Sequence, residues 1–237
     1  MRSLSTVLKT LAVLDVFVGA PRGMRLLEIA EAMGLSRPTA YQRLLTLVEG
    51  GWLEQDEQGR YRLSMHVARL AAAALEQADL GSRVLPALQE LAHRVKEAVS
   101  LAILDKGVPV IVSRVESENL LRAEQKLGSL LSLEGSASGR ILTAFADEIT
   151  LKRLKKGRER LASQKVLEAA RKEGYALSSG LVQPEVRAIA APVFNVYGAC
   201  SAAVSIVTPQ TRFKLEAVRG PVIEAAARIT RIQQGVR

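Results

Sequence analysis

Residues 34–51 read GLSRPTAYQRLLTLVEGG, and this stretch decides the fold. It spells one short helix with a stop at each end. Gly34 can take the left-handed conformation that closes a preceding helix, with Leu35 behind it for the usual hydrophobic contact. Ser36 is a good N-cap, because its hydroxyl can accept from an orphan amide two or three residues on. Pro38 falls in the first turn, where a missing amide hydrogen costs nothing. Ala40, Leu44, Leu47 and Val48 make an apolar stripe at i, i+4, i+7 and i+8. Arg37, Thr39, Tyr41, Gln42, Arg43 and Thr46 remain on the outward side, and Gly50-Gly51 ends the helix. That outward set suits a DNA major groove. Arg can fork onto guanine and Gln onto adenine, while Thr and Tyr hydroxyls reach phosphates or base edges. Taken alone it also describes an ordinary solvated helix face. The flanks decide between the two.

Upstream, Leu4, Val7, Leu8, Leu11, Leu14 and Phe17 recur at helical spacing, predicting a first helix over residues 4–18. Gly19-Ala20-Pro21-Arg22-Gly23 breaks it. Leu27, Ile29, Ala30 and Met33 mark a short second helix that ends at Gly34 and has no Ser, Thr, Asp or Asn cap at its start. Only Leu35 then separates Gly34 from the cap of the next helix. This is a helix-turn-helix, in which the later helix reads the DNA. Downstream, Trp52–Gln55 and Arg60–Leu63 flank Asp56-Glu57-Gln58-Gly59 and read as a hairpin. Three helices and a hairpin make a winged helix-turn-helix. Arg60 and Arg62 on the returning strand suit phosphate contacts, although Arg62 could equally pair with Glu54 across the hairpin.

The run LLEIAEAMGLSRPTAYQRLLTLVEGGWLEQDEQGRYRL, with this order of elements, resembles the DNA-binding domain of IclR-type bacterial transcriptional regulators. The resemblance continues through the second half of the chain and covers nearly all of it.

Charge argues less than it first suggests. The net charge of +9 comes from 33 Lys/Arg and 24 Asp/Glu, yet residues 1–79 hold nine of each and are neutral. Residues 80–237 carry the whole excess, 24 basic against 15 acidic groups. DNA binding therefore rests on where Arg37, Arg43, Arg60 and Arg62 point. The densest basic run, Lys152–Arg160, reads as a solvated helix end and loop. With no apolar stretch of eighteen residues and no signal-peptide pattern, the expected location is the cytoplasm. The single cysteine, Cys200, excludes an internal disulfide and sits in an apolar run that predicts an inert buried thiol.

Met65–Ala78 predicts a linker helix with Val67, Leu70, Ala71, Ala74 and Leu75 on one side, a face able to pack against its copy in a dimer. The expected organisation is a DNA-binding domain over 1–64, a linker helix over 65–79 and a second domain over 80–237. In that domain Ser82 can cap a helix running to Val95. Strands are predicted over Val99–Asp105 and Val108–Val115, joined at Lys106-Gly107, and over Asn119–Glu124. Helices follow over Gly135–Phe145, over the basic run, and over Ser163–Lys172, closed by Gly174. Strands over Tyr175–Ser178, Arg187–Phe194 and Ala199–Val207 come next, then a helix over Arg212–Gln233 bent at Gly220-Pro221. The class is α+β, with an antiparallel sheet flanked by helices.

Here the resemblance strengthens. GSASGRILTAF is similar to the family's small-residue helix entry, KEGYAL to the chain before a short strand, and VRAIAAPVFNVYGACSAAVSIVTP to its two signature strands. It implies a GAF-like sensor domain that binds a small organic acid or aromatic effector over the sheet. By resemblance the effector positions are Ala137, Ser138, Ser178, Ala188, Ser205 and Val207. The family often has Asp where Ser178 stands and Cys where Ala188 stands. Glu134 replaces its usual His, and Arg140 its usual Lys. The helix entry itself, Gly135–Gly139, offers exposed amides to a carboxylate, or alternatively close helix–sheet packing.

Catalysis is not expected. The two histidines, His66 and His93, neighbour neither a carboxylate nor the cysteine, and no HExxH, CxxC or P-loop motif occurs. Neither metal nor cofactor is expected. The expected partners are a palindromic DNA operator, a small effector and a second copy of the chain, since one winged helix reads only a few base pairs. The resemblance also allows a pair of such dimers. The alternative is a DNA-binding protein whose second domain serves only oligomerisation.

Overall fold

The structure is a computed structural model and describes residues 3–18, 20–119, 125–178 and 184–235. Two compact units divide the chain, Met1–Leu75 and Glu76–Arg237.

In the first unit, α1 (Ser5–Asp15) ends three residues before the periodicity does. Val16, Phe17 and Val18 wind tighter, their amides donating to the carbonyls of Val13, Leu14 and Asp15. This turn carries Phe17 into the core beside Val13. The short strand β1 (Met24–Arg25) follows, then α2 (Leu26–Ala32) and α3 (Arg37–Glu49). The missing cap of α2 is supplied from inside the helix. Glu28 reaches back to accept from the Arg25 amide at 2.6 Å, and that bond chiefly holds its carboxyl below the usual range. Leu53–Gln55 (β2) and Arg60–Leu63 (β3) form the expected hairpin, with Gly59 at φ +73°. Met24–Arg25 pairs antiparallel with β3 as a third strand that the sequence reading lacks. Val13, Phe17, Ile29, Leu44, Leu47, Leu53 and Tyr61 close the core. The helix α4 (Met65–Gln77) buries none of its residues.

In the second unit, α5 (Leu85–Val95) begins at Leu85 with Pro86 in its first turn. Ser82 is not its cap; the Ser82 amide instead donates to Glu76 at 2.7 Å. The strands β4 (Ala98–Asp105) and β5 (Val108–Val115) turn through Lys106 and Gly107, both at positive φ (47° and 89°), as a two-residue hairpin requires. Of the strand expected over 119–124, Asn119 lies in a bend and residues 120–124 lie outside the described residues. Three helices follow: α6 (Ala137–Ala144), α7 (Glu148–Lys156) and α8 (Gln164–Glu173), the last closed by Gly174 at φ +74°. Then come β6 (Ala176–Leu177), β7 (Val186–Phe194), β8 (Cys200–Pro209), a 3-10 turn at Gln210–Arg212 and α9 (Leu215–Gln233). The last helix starts after that turn, later than expected, and runs continuously through Pro221.

The five strands form one antiparallel sheet in the order β5-β4-β8-β7-β6. Ala102, Ala190 and Ala203 on one face pack with Ala137, Ile141 and Leu142 of α6 and with Leu167 and Ala170 of α8. Small residues on the sheet let the helices approach closely. β6 covers only the Ile189–Ala190 part of β7, with Ser178 extending the pairing to Ala188, so Pro192 lies beyond its end. Cys200 opens β8 with its thiol against the Ala202 carbonyl, and burial pushes its pKa up to about 12. At pH 8 the folded chain is therefore expected to react with iodoacetamide about a thousandfold more slowly than the urea-unfolded chain. Equal labelling rates would refute that placement.

Candidate DNA-reading face and effector site

The cap of α3 forms as its sequence dictates. Ser36 Oγ accepts from the Thr39 amide at 3.4 Å and lies 2.8 Å from the Thr39 hydroxyl. Ala40, Leu44 and Leu47 are buried, which fixes the opposite face outward. Arg37, Thr39, Tyr41, Gln42 and Thr46 are exposed. Thr39, Gln42 and Thr46 fall at i, i+3 and i+7 and form the outward line. The Thr46 hydroxyl is turned back onto the Gln42 carbonyl at 2.9 Å, while the Gln42 amide projects freely. Arg43 departs from this group: it is half-buried, and its Nη1 points at the Lys9 carbonyl of α1, 3.4 Å away. Tyr41, 46% exposed, lies near the buried Tyr61, whose hydroxyl burial chiefly, and Tyr41 secondarily, pushes upward in pKa.

The hairpin arginines are both engaged. Arg60 Nη1 donates to the Gly23 carbonyl at 3.2 Å and so braces the loop before β1. Arg62 pairs with Glu54 at 3.1 Å, as its cross-strand register allows. That pair is exposed and contributes about 0–1 kcal/mol, so Arg62 can exchange it for a phosphate at little cost.

In the second unit Ser136 caps α6, accepting from the Gly139 amide at 2.9 Å and donating to the Ser132 carbonyl at 2.6 Å. Ala137 and Ser138 are 1% and 2% exposed. Gly139 answers the packing question for its own position. A Cβ there would sit 2.2 Å from the Ser132 carbonyl oxygen and 2.7 Å from Leu133 Cα. Ala188 and Val207 are cross-strand partners, and Ser205 lies two residues from Val207 on the same face. Ser178 stands beside Ala188: its amide donates to the Ala188 carbonyl at 2.9 Å, and its hydroxyl accepts from the Ala188 amide at 3.0 Å. The face bearing Ala188 and Ser205 is the one that α6 covers. Arg140 ties this entry to the sheet, donating to the carbonyls of Glu134 (2.7 Å) and Leu177 (2.8 Å), and burial chiefly lowers its pKa.

Two residues on this face escaped the sequence reading. Ser100 on β4 lies opposite Ser205, and Arg114 on β5 lies opposite Ser100 with its side chain 3% exposed. The signal was present in the alternation Ser100, Ala102, Leu104, which shares its face with the Ala–Ser positions of β7 and β8. Among the described residues no group of His, Cys, Asp and Glu could hold a metal ion, and no helix is long and apolar enough to cross a membrane.

A capped, outward-facing reading helix in a winged helix-turn-helix, followed in the chain by a separate α+β unit, is the build of a two-domain DNA-binding regulator. Comparison with known proteins makes this specific. Residues 6–57 match the IclR helix-turn-helix domain, and residues 72–231 match the bacterial transcriptional regulator IclR C-terminal domain. The chain belongs to the IclR family of bacterial transcriptional regulators. It is 30% identical to the HTH-type transcriptional regulator XynR of Escherichia coli K12, over 90% of this chain and 89% of that one. With the HTH-type transcriptional regulator KdgR of the same organism it shares 29% identity over 98% and 94%. The crystal structure of an IclR homologue from Microbacterium hydrocarbonoxydans, complexed with 4-hydroxybenzoate, superposes with a TM-score of 0.81 at 24% identity, over 97% of this chain and 99% of that one.

Proposed function

We propose that the chain is a cytoplasmic, non-catalytic regulator that binds a palindromic operator as a homodimer and responds to a small organic acid or aromatic effector. Residues 1–64 bind DNA, 65–79 link, and 80–237 sense. The observation that carries the reading is the exposed line Thr39–Gln42–Thr46 with Arg37 on a capped helix of a family member. Arg37, Thr39, Tyr41 and Gln42 contact the operator, Arg43 flanks them on the α1 side, and Arg60 and Arg62 serve the hairpin's approach to phosphate. Dimerisation is supported by apolar surface left uncovered on two helices. On α1, Val7 is 49% and Leu8 56% exposed; on α4, Leu70 is 42% exposed.

The effector lies over the sheet among Ala137, Ser138, Ser178, Ala188, Ser205 and Val207. A carboxylate-bearing aromatic bound by a structural neighbour supports that class of ligand. The packing role of Gly139 favours a second reading, in which this domain only oligomerises. Operator fragments selected from random DNA, titrated by fluorescence anisotropy with and without a panel of small carboxylates, separate the two. A carboxylate that shifts operator affinity by about 5- to 150-fold supports the sensor. Undiminished operator binding across the panel, with a dimer or tetramer by sedimentation, supports the second reading. A monomer at micromolar concentration, with and without DNA, would rule out both.

A further inference from the structure

The densest basic run is solvated, as its sequence suggests, yet it holds more charge than its helix needs. Over residues 147–160, six basic side chains stand against three acidic ones. Asp147 is committed as the cap of α7, accepting from the Thr150 amide at 2.6 Å. Glu148 meets Lys152 at 3.8 Å with both side chains in water, so it neutralises little. Arg153, Lys155, Lys156, Arg158 and Arg160 are all exposed and form no salt bridge with a described residue. The helix macrodipole accounts for cations in the last turn, here Arg153, Lys155 and Lys156, and for nothing past it. Arg158 and Arg160 lie beyond the C-cap Gly157. Lys152 and Lys156 stand at i and i+4, a like-charge spacing that weakens a helix. Folding alone is opposed by this repulsion, and a bound polyanion relieves it.

The surroundings say which polyanion. Leu154 is the one buried residue of α7 and seats it against the β4–β5 turn, where a Cβ on Gly107 would lie 3.5 Å from Leu154 Cδ2. Ile149, 72% exposed, is the one exposed large apolar side chain on the helix, and the run contains no aromatic residue. A protein partner generally grips a desolvated apolar or aromatic centre, whereas a nucleic-acid backbone needs only Lys and Arg. The distribution of charge along the chain agrees. Residues 1–79, which carry the reading helix, hold nine basic and nine acidic groups. Phosphates neutralised by Lys and Arg supply the sequence-independent part of DNA affinity, and the chain keeps its surplus of these in residues 80–237. Tethering gives effective concentrations of order millimolar, above the dissociation constants of about 10⁻⁴–10⁻⁶ M typical of non-specific DNA binding. Even weak phosphate contacts are then made wherever flanking duplex is within reach.

We propose that the basic run of α7, Lys152–Arg160, is a second DNA surface that holds phosphates of the duplex flanking the operator. It contributes affinity and position, not sequence. The inference rests on operator binding by the first unit and adds a separate contact to it.

The test uses the full chain and operator DNA in two lengths, trimmed to the protected core or extended by two helical turns of unrelated sequence on each side. Anisotropy titrations between about 50 and 200 mM salt give affinity and salt slope for each. The parent is expected to bind the extended duplex about 10-fold more tightly at low salt, with about 0.9 added to the log–log slope for each further phosphate contact. The fourfold variant Lys152→Gln, Lys155→Gln, Lys156→Gln, Arg158→Gln is expected to lose that gain and the added slope while binding the core duplex as the parent does. Lys214→Gln with Arg231→Gln removes exposed charge elsewhere on the unit and is expected to keep the gain. Glutamine is a good helix former at solvated positions, and thermal melting checks the fold. If the fourfold variant does not fold, Lys155→Gln with Lys156→Gln takes its place and is expected to lose part of the added slope. Equal affinity and slope on both lengths for the parent overturns the inference and leaves operator reading intact. So does a flank gain that the fourfold variant keeps, or one that the Lys214 and Arg231 control also loses. Parent-like binding to both lengths by the fourfold variant, with altered regulation in a purified transcription assay, overturns it in favour of a protein partner. A parent that binds neither duplex defeats both readings.

Discussion

Replacing Gln42 by alanine is expected to weaken operator binding about 10- to 100-fold per half-site, the range for losing a bidentate base contact. Gln42 sits at the centre of the outward line of α3, with Thr39 and Thr46 one turn away on either side, and its amide is uncommitted. Arg43 supplies the contrast. The periodicity placed it in the same outward set, but its guanidinium leans back on α1 at Lys9. Arg43→Ala should therefore cost less than Gln42→Ala, about as much as a phosphate contact, and should also reduce the dependence of affinity on salt. Anisotropy titrations at two salt concentrations measure both effects. If Gln42→Ala binds the operator as the parent does, the outward line of α3 is not the reading surface.

Gly139→Ala is expected to destabilise the second unit by about 1–3 kcal/mol, although alanine is the better helix former. The added methyl would meet the Ser132 carbonyl oxygen and Leu133 Cα, which are backbone atoms of the segment leading into the helix. Neither can rotate away as a side-chain end could, so α6 must shift off Ser132–Leu133 and loosen its hold on the sheet. The effect should divide between the units. Trp52, the chain's one tryptophan, lies in the first unit, so its fluorescence transition should hardly move while the far-ultraviolet dichroism melts earlier. Unchanged melting by both probes would show that the Ser132–Gly139 contact is looser than described.

What could be read from the sequence divides along physical lines. The reading helix was legible because every signal in it is local: Ser36 caps, Pro38 starts, Leu44 and Leu47 bury, Gly50-Gly51 stops. The Lys106-Gly107 hairpin and the β7–β8 pair were legible for the same reason. The strand Met24–Arg25 was not, since two residues carry no period and pair only once β3 is in place. The cap of α2 was missed because its donor and acceptor swap the usual order, Glu28 serving the residue before the helix. Arg43 was misplaced because periodicity gives the direction of Cβ but not where six further side-chain atoms go. Ser100 and Arg114 were invisible as a pair because their neighbourhood is made by strand register across fourteen residues of hairpin, bulge included. The six positions taken from family resemblance are a different case. The structure gathers Ala188, Ser205 and Val207 on one face, with Ser178 beside them, a grouping that no spacing in the chain encodes.

The short strand β6 leaves another trace. Antiparallel pairing alternates direction with each residue, and Ala188 exchanges bonds with Ser178 on the outer edge of β7. Pro192, four residues on, therefore turns its nitrogen to that same edge, just where β6 has ended. A proline at this point has no backbone donor to leave unpaired. Pro192 is buried, so the missing donor spares the interior an unpaired amide where β6 no longer reaches β7. Pro192→Val would restore that donor inside the protein, beyond the paired residues of β6 that could accept from it.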